Sequence, residues 1–164
     1  MIVVCDSSIL ISLARINQLH LLYEVFGGVL ISQGIYDEVV VRGAGRAGSE
    51  EVANADFIHV EQLQNSEDAD EYVVPLSRVD AELIVLAKEQ NASLLLSRDN
   101  RLRRRAYRER LNVASLMDFF ILAKRNGVIP SVKHLLDEMR NKGILIREGI
   151  YQETLRRAGE LSDE

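Results

Sequence analysis

Four carboxylates in this chain, Asp6, Glu38, Asp80 and Asp99, could together hold a metal ion. Asp6 follows the apolar run Ile2 to Cys5 and precedes the helical pattern "SSILISLARI", whereas Asp99 follows "SLLLS". Both runs read as strands, so both acids sit at strand ends. In an open α/β sheet the carboxyl ends of parallel strands share one edge with the N-termini of the connecting helices, and ligands bind there. Asp80 opens the helix "VDAELIVLAKEQ", which runs back against the strands and starts at that same edge. On a period of about 3.6 residues it shares a face with Leu83, Ile84 and Ala87. Glu38, in "QGIYDEVVVR", is flanked three residues away on each side by Ile35 and Val41 and leans toward an apolar face. Carboxylates gathered in one partly buried place repel and raise one another's pKa unless a cation offsets them. An all-oxygen donor set suits a hard divalent ion, Mg²⁺ or Mn²⁺, and the scattered His20, His59 and His134 with the lone Cys5 argue against zinc.

Each acid also has a plain structural reading. On its own, Asp6 reads first as a helix cap. Ser77 and Asp80 have the spacing of a capping box. Asp99 with Asn100 can turn the chain and cap the next helix, and Glu38 can be a solvated charge beside Asp37. Glu82 competes with Asp80 as a ligand but lies about 200° away around the helix, given ~100° per residue. Asp118, in "SLMDFF", is a remoter candidate for the rim of the site.

The elements that must position these acids follow from hydrophobic periodicity. Short β-branched runs predict strands at Ile2 to Cys5, Val29 to Ser32, Phe57 to Val60, Ser93 to Leu96 and Leu111 to Ala114. Helical patterns fall between them at Ser8 to Arg15, Leu19 to Phe26, Gln33 to Val41, Glu50 to Ala55, Val79 to Gln90 and Asn100 to Glu109. Such alternation predicts a parallel sheet covered by helices on both faces. The segment Gln62 to Ser77 reads as a polar surface loop. The glycine-rich "RGAGRAGSE" follows a helix and lacks a Lys-Ser/Thr ending, so it reads as a turn and not as a phosphate loop. Two amphipathic helices closed by Gly127 and Gly143 follow the sheet, and a last helix covers about Gly149 to Glu160.

At 164 residues and 47% hydrophobic, the chain is long enough for one buried core and too short for two ordinary domains. One unpaired cysteine excludes a disulfide scaffold, and no run approaches the ~20 apolar residues of a membrane span. The N-terminus lacks the features of a signal peptide, so a cytoplasmic location is expected. A net charge of -5 argues against indiscriminate binding of polyanions. Locally the balance reverses: "RDNRLRRRAYRER" holds seven arginines, whereas "EDADE" is a carboxylate run. Arg101, Arg103, Arg104, Arg105 and Arg108 would fall on the helix after Asp99, within reach of the phosphates of a bound nucleic acid. The competing readings are a solvated helix paired with acids such as "EDADE", and a docking site for an acidic protein.

The stretches "VVCDSSILISLARINQLHLL", "VLISQGIYDEVV", "VDAELIVLAKEQNASLLLSRDNRLRRRA" and "LAKRNGVIPSVKHLLDEMRNKGILI" together resemble the PIN-domain family. They are most similar to its small prokaryotic branch, related to the toxins of toxin–antitoxin pairs. The resemblance implies a three-layer α/β/α fold with a five-stranded parallel sheet at residues 1–127. Residues 128–164 would add a helical extension packed on that domain or, as its apolar content favours, on the partner in a homodimer. It implies a metal-dependent ribonuclease that leaves 5'-phosphate and 3'-hydroxyl ends, with RNA as substrate and an antitoxin protein as a further partner. Asp6, Glu38, Asp80 and Asp99 match the family's acids, and Ser8 and Ser97 match small hydroxyl positions near the metal. Arg98 stands where relatives often carry another acid, so a guanidinium there would weaken ion binding. That departure keeps open a second reading, a module that binds nucleic acid or protein without cutting. A third, a domain for a small phosphorylated ligand, would need a glycine-rich strand-to-helix turn that the sequence lacks.

Overall fold

Strands of two to four residues form the sheet, and the computed structural model describes residues 1–161. The strands are β1 (Val3–Cys5), β2 (Val29–Ser32), β3 (Ile58–Glu61), β4 (Leu94–Leu96) and β5 (Val113–Ala114). All neighbours pair in parallel, in the order β3-β2-β1-β4-β5. Successive strand residues face opposite ways. Val3, Val4 and Cys5 are nevertheless all buried, so helices cover both faces of the central strand and the architecture is a three-layer α/β/α sandwich. The chain leaves β1 toward β2 and β3, then crosses back to place β4 on the other side of β1. That reversal makes the carboxyl ends of β1 and β4 the topological switch point, the crevice at which open α/β sheets bind ligands.

Helices α1 (Ser7–Arg15), α2 (Leu21–Phe26), α3 (Gln33–Tyr36) and α4 (Ser49–Ala53) precede β3. They are followed by α5 (Arg78–Glu89), α6 (Asn100–Arg108), α7 (Leu116–Arg125), α8 (Val132–Asn141) and α9 (Glu148–Arg157). Side-chain caps fix most of their starts: Asp6, Ser32, Ser77, Asp99, Ser115 and Ser131 each accept from a first-turn N–H. Two expectations need correction. The predicted helix Gln33 to Val41 is α only to Tyr36, and Asp37–Val41 is a π-helical turn closed by Arg42 N–H donating to Asp37 O at 2.7 Å. Gly43 completes it, since a Cβ there would lie 2.4 Å from Val39 O. The second concerns Gln62 to Ser77, which is no bare loop. It contains a 3₁₀ helix, Ser66–Tyr72, whose Ala69 and Tyr72 are buried together with Leu76. Leu63 and Val73 pack against the same core from partly buried positions, and these inward residues are spaced too irregularly among the acids to leave a readable period.

Residues 128–161 continue the same core. Leu135, Leu136, Met139, Ile144 and Ile146 bury within the chain, in one cluster with β1 and α1, while Leu145 and Ile150 stay exposed. Most of the apolar surface expected to favour a dimer partner is therefore covered by the chain itself. Among the described residues no helix is long and apolar enough to cross a membrane.

Candidate functional site

Asp6 ends β1 and Asp99 lies three residues past β4, so the two flank the crevice. Asp6 is 3% exposed and fully engaged. Its Oδ1 accepts from Ile9 N–H at 3.1 Å and from the Ser8 hydroxyl at 2.6 Å, and its Oδ2 accepts from the Ser97 hydroxyl at 2.5 Å. Burial pushes its pKa up, while those hydroxyls and the Ile9 N–H pull it down. Asp6 thus is the helix cap of the plain reading and also a buried carboxylate at the crevice. Asp99 likewise caps α6, accepting from Arg101 N–H at 2.8 Å, and its own N–H donates to Ser97 Oγ at 2.9 Å.

Glu38 sits on the π-helical turn, which re-aims its side chain relative to a regular helix, and it accepts from the Ser7 hydroxyl. Such turns often occur at functional sites. Asp80 is half-buried in the first turn of α5. Its N–H donates to Ser77 Oγ at 3.1 Å, but the reciprocal half of a capping box is absent. Burial raises its pKa first, and the charges of Asp6, Asp99 and Glu38 raise it further, to about 6. Three carboxylates from three other elements therefore act on a fourth.

A sequence model of the PIN domain matches residues 2–160. The chain belongs to the PIN-domain family. No curated protein matches it. The family has a nuclease-like fold, and PIN domains generally use divalent metal ions.

Among the described residues of this PIN domain, no three acidic, histidine or cysteine side chains are placed to grip one ion. Asp6 and Glu38 instead direct oxygens to serine hydroxyls. The donor set still fits a hard divalent cation in chemistry and in charge. It is all oxygen, and the charges of Asp6, Asp99 and Glu38 add to burial in raising the pKa of Asp80, a repulsion that a cation would offset. Glu82 lies elsewhere, with Oε1 against Gly34 and Oε2 3.9 Å from Arg78 Nε. Asp118 forms a capping box with Ser115 and accepts from Arg157 at 2.7 Å, bonds that hold its pKa low against burial. Neither is among the charges that raise Asp80.

Arg98 is half-buried on α1, donating through its guanidinium to Ser12 Oγ at 2.9 Å and through its N–H to Ser8 Oγ at 3.0 Å. Burial lowers its pKa, and the charge of Asp6 opposes that. The arginines of α6 divide by environment. Arg105 stacks over the Tyr72 ring at 4.7 Å and pairs with Glu109 at 3.5 Å, so it holds α6 to the 3₁₀ segment. Arg103 and Arg104 bond to the start of their own helix, at Ser97 O and Asn100. Arg101 and Arg108 are exposed. In "EDADE", Asp70 pairs with Arg78 and not with an α6 arginine. Ser7, Ser12 and the π-helical turn escaped the sequence reading. Of these only Ser7 left a sign, as the first serine of "DSS".

Proposed function

We propose that this PIN domain is a divalent-metal-dependent ribonuclease that hydrolyses RNA phosphodiester bonds, the toxin half of a toxin–antitoxin pair. The observation that supports this is the joint action of Asp6, Glu38 and Asp99 on half-buried Asp80 at the β1/β4 crevice. Those four acids would hold Mg²⁺ or Mn²⁺, and a bound ion supplies Lewis acidity toward the scissile phosphate. Ser8 and Ser97 orient Asp6. The exposed arginines of α6 would meet the strand's phosphates on either side of the cut. A homodimer and an antitoxin protein are the partners the resemblance implies, in the cytoplasm. Incubating the purified protein with RNAs of varied sequence, with and without Mn²⁺, should give metal-dependent cleavage and 5'-phosphate ends. Asp6→Asn should abolish it and weaken Mn²⁺ binding in calorimetry. Cleavage and binding unchanged in that variant would remove the reading.

A second reading, an RNA- or protein-binding module that does not cut, is favoured by the guanidinium of Arg98, whose charge interacts with Asp6, and by donors not drawn around one point. RNA bound but left intact by the wild-type protein with either ion selects it.

A further inference from the structure

Two grooves meet at Asn100 and Arg103. The first, of about 330 Å³, separates the starts of α6 and α7 from residues 145–157. Its cations are Arg98, Arg103, Arg147 and Arg157, facing the acid Glu153. The second runs along α6 past Arg104, Tyr107 and Arg108. Because Asn100 and Arg103 line both, the grooves form one basic depression that passes beside Asp99.

Three features identify what this depression would bind. First, the N-terminal end of α9 opens into the first groove at Arg147, which caps it without a side-chain hydrogen bond, whereas the starts of α6 and α7 there are capped by Asp99 and Ser115. Helix N-termini attract anions through their partial positive charge and their orphan N–H groups. Second, Arg108 and Arg147 have no side-chain hydrogen bond or ion pair among the described residues, so their charges are available to a ligand. Third, apolar surface is interleaved with these charges. Tyr107 is 73% exposed between Arg104 and Arg108, and Leu145 is 82% exposed at the rim of the first groove. A ring so exposed contributes little to the core, but it offers a flat face on which an unpaired base can stack.

We infer that the two grooves form a track for single-stranded RNA, with Tyr107 stacking a base and Arg147 and Arg108 meeting phosphates on either side of Arg103. This deepens the ribonuclease reading and rests on it for where the strand leads, past Asp99 toward the acids. A duplex keeps its bases stacked inward and gives Tyr107 nothing to hold, and an acidic polypeptide would use the arginines alone.

The test is fluorescence anisotropy of labelled oligouridine with the full-length protein in EDTA, where binding is read without cleavage. Tyr107→Ala should weaken binding about 5-fold or more, the low end for one stacked base. Tyr107→Phe should restore it, and neither should move the melting temperature. Arg147→Ala should flatten the salt dependence by a slope of about 0.7. Unchanged affinity in Tyr107→Ala and Arg147→Ala would overturn the track. So would equal affinity for a matched RNA duplex, or for polyglutamate, which would assign the grooves to an acidic protein. The expected losses support the track even if Mn²⁺ produces no cleavage, a result that counts only against the nuclease reading.

Discussion

Ser97 donates its hydroxyl to Asp6 Oδ2 at 2.5 Å, joining the carboxyl end of β4 to that of β1. The same oxygen accepts from Asp99 N–H at 2.9 Å, so one buried hydroxyl positions two of the four acids. A hydrogen bond to a charged group contributes about 1.5–3 kcal/mol. Ser97→Ala should therefore lower stability by about 2 kcal/mol, a fall in Tm of ~4–8 °C for a chain of this size. A double-mutant cycle with Asp6→Asn checks the cause. An undiminished cost of Ser97→Ala in the Asp6→Asn background would show that the bond is not the reason.

Asp80 should make stability depend on pH with an unusual sign for a carboxylate. Its folded pKa, about 6, exceeds its ordinary 3.8, so the folded state holds this proton more tightly than the unfolded one. Where the unfolded state binds fewer protons, stability falls as pH rises, here across the window from about 4 to about 6. Asp80→Asn removes the penalty. With the linkage discounted for solvent screening, the variant should gain about 1 kcal/mol at pH 8 and melt ~2–4 °C higher in EDTA. At pH 3.5 the gain should vanish. The same gain at both pH values would point to packing and not to charge.

The strands and most helices were legible because β1 and β4 are buried on both faces and read as unbroken apolar runs. The strand order was not. Nothing local to Val3–Cys5 says that β4, and not β3, lies beside it, since that choice rests on crossovers many residues long. Asp6, Asp80 and Asp99 were legible as residues at element ends and Glu38 by its apolar neighbours, but their present partners were not. Ser7 reaches Glu38 across 31 residues, and Ser97 reaches Asp6 across 91. The π-helical turn at Asp37–Val41 escaped because an extra residue in a helical turn leaves the apolar period almost intact over so short a span.

Arg105 and the pair Arg103 and Arg104 should separate by readout, although all three lie in one run. Arg105 packs on Tyr72, whose hydroxyl donates to Glu109 Oε1 at 2.9 Å and accepts from Lys88 Nζ at 3.1 Å. Arg105→Ala should cost about 1 kcal/mol of stability, through the lost stacking and stem contacts. It should leave the salt dependence of RNA binding alone. Replacing Arg103 and Arg104 by Ala should do the reverse, lowering that slope by roughly 0.7 per lost phosphate contact. Thermal melts and salt titrations of both variants decide it. A salt slope changed by Arg105→Ala would return Arg105 to the RNA-facing set.

The tail should behave as core, and Glu160 is the residue that ties it down. Its carboxylate accepts from Val132 N–H at 2.7 Å, Lys133 N–H at 3.0 Å and the Ser131 hydroxyl at 2.9 Å, and lies 3.0 Å from Lys124 Nζ. The chain beyond α9 thereby caps the start of α8. Burial alone would raise its pKa, but those donors overcome it and hold the group at about 2. A carboxylate whose folded pKa is depressed contributes stability that is present above its ordinary 4.5 and lost as pH falls toward 2. Glu160→Gln should cost up to ~3 kcal/mol at pH 7, the value of that shift, and little at pH 2, where the group is half protonated. Truncation after Gly127 removes Leu135, Leu136, Met139, Ile144 and Ile146 from the shared core and should leave a chain that does not fold. A truncated protein that melts cooperatively as a monomer would instead make residues 128–164 an appendage or interface, and a Glu160→Gln cost independent of pH would remove its role as a charged cap.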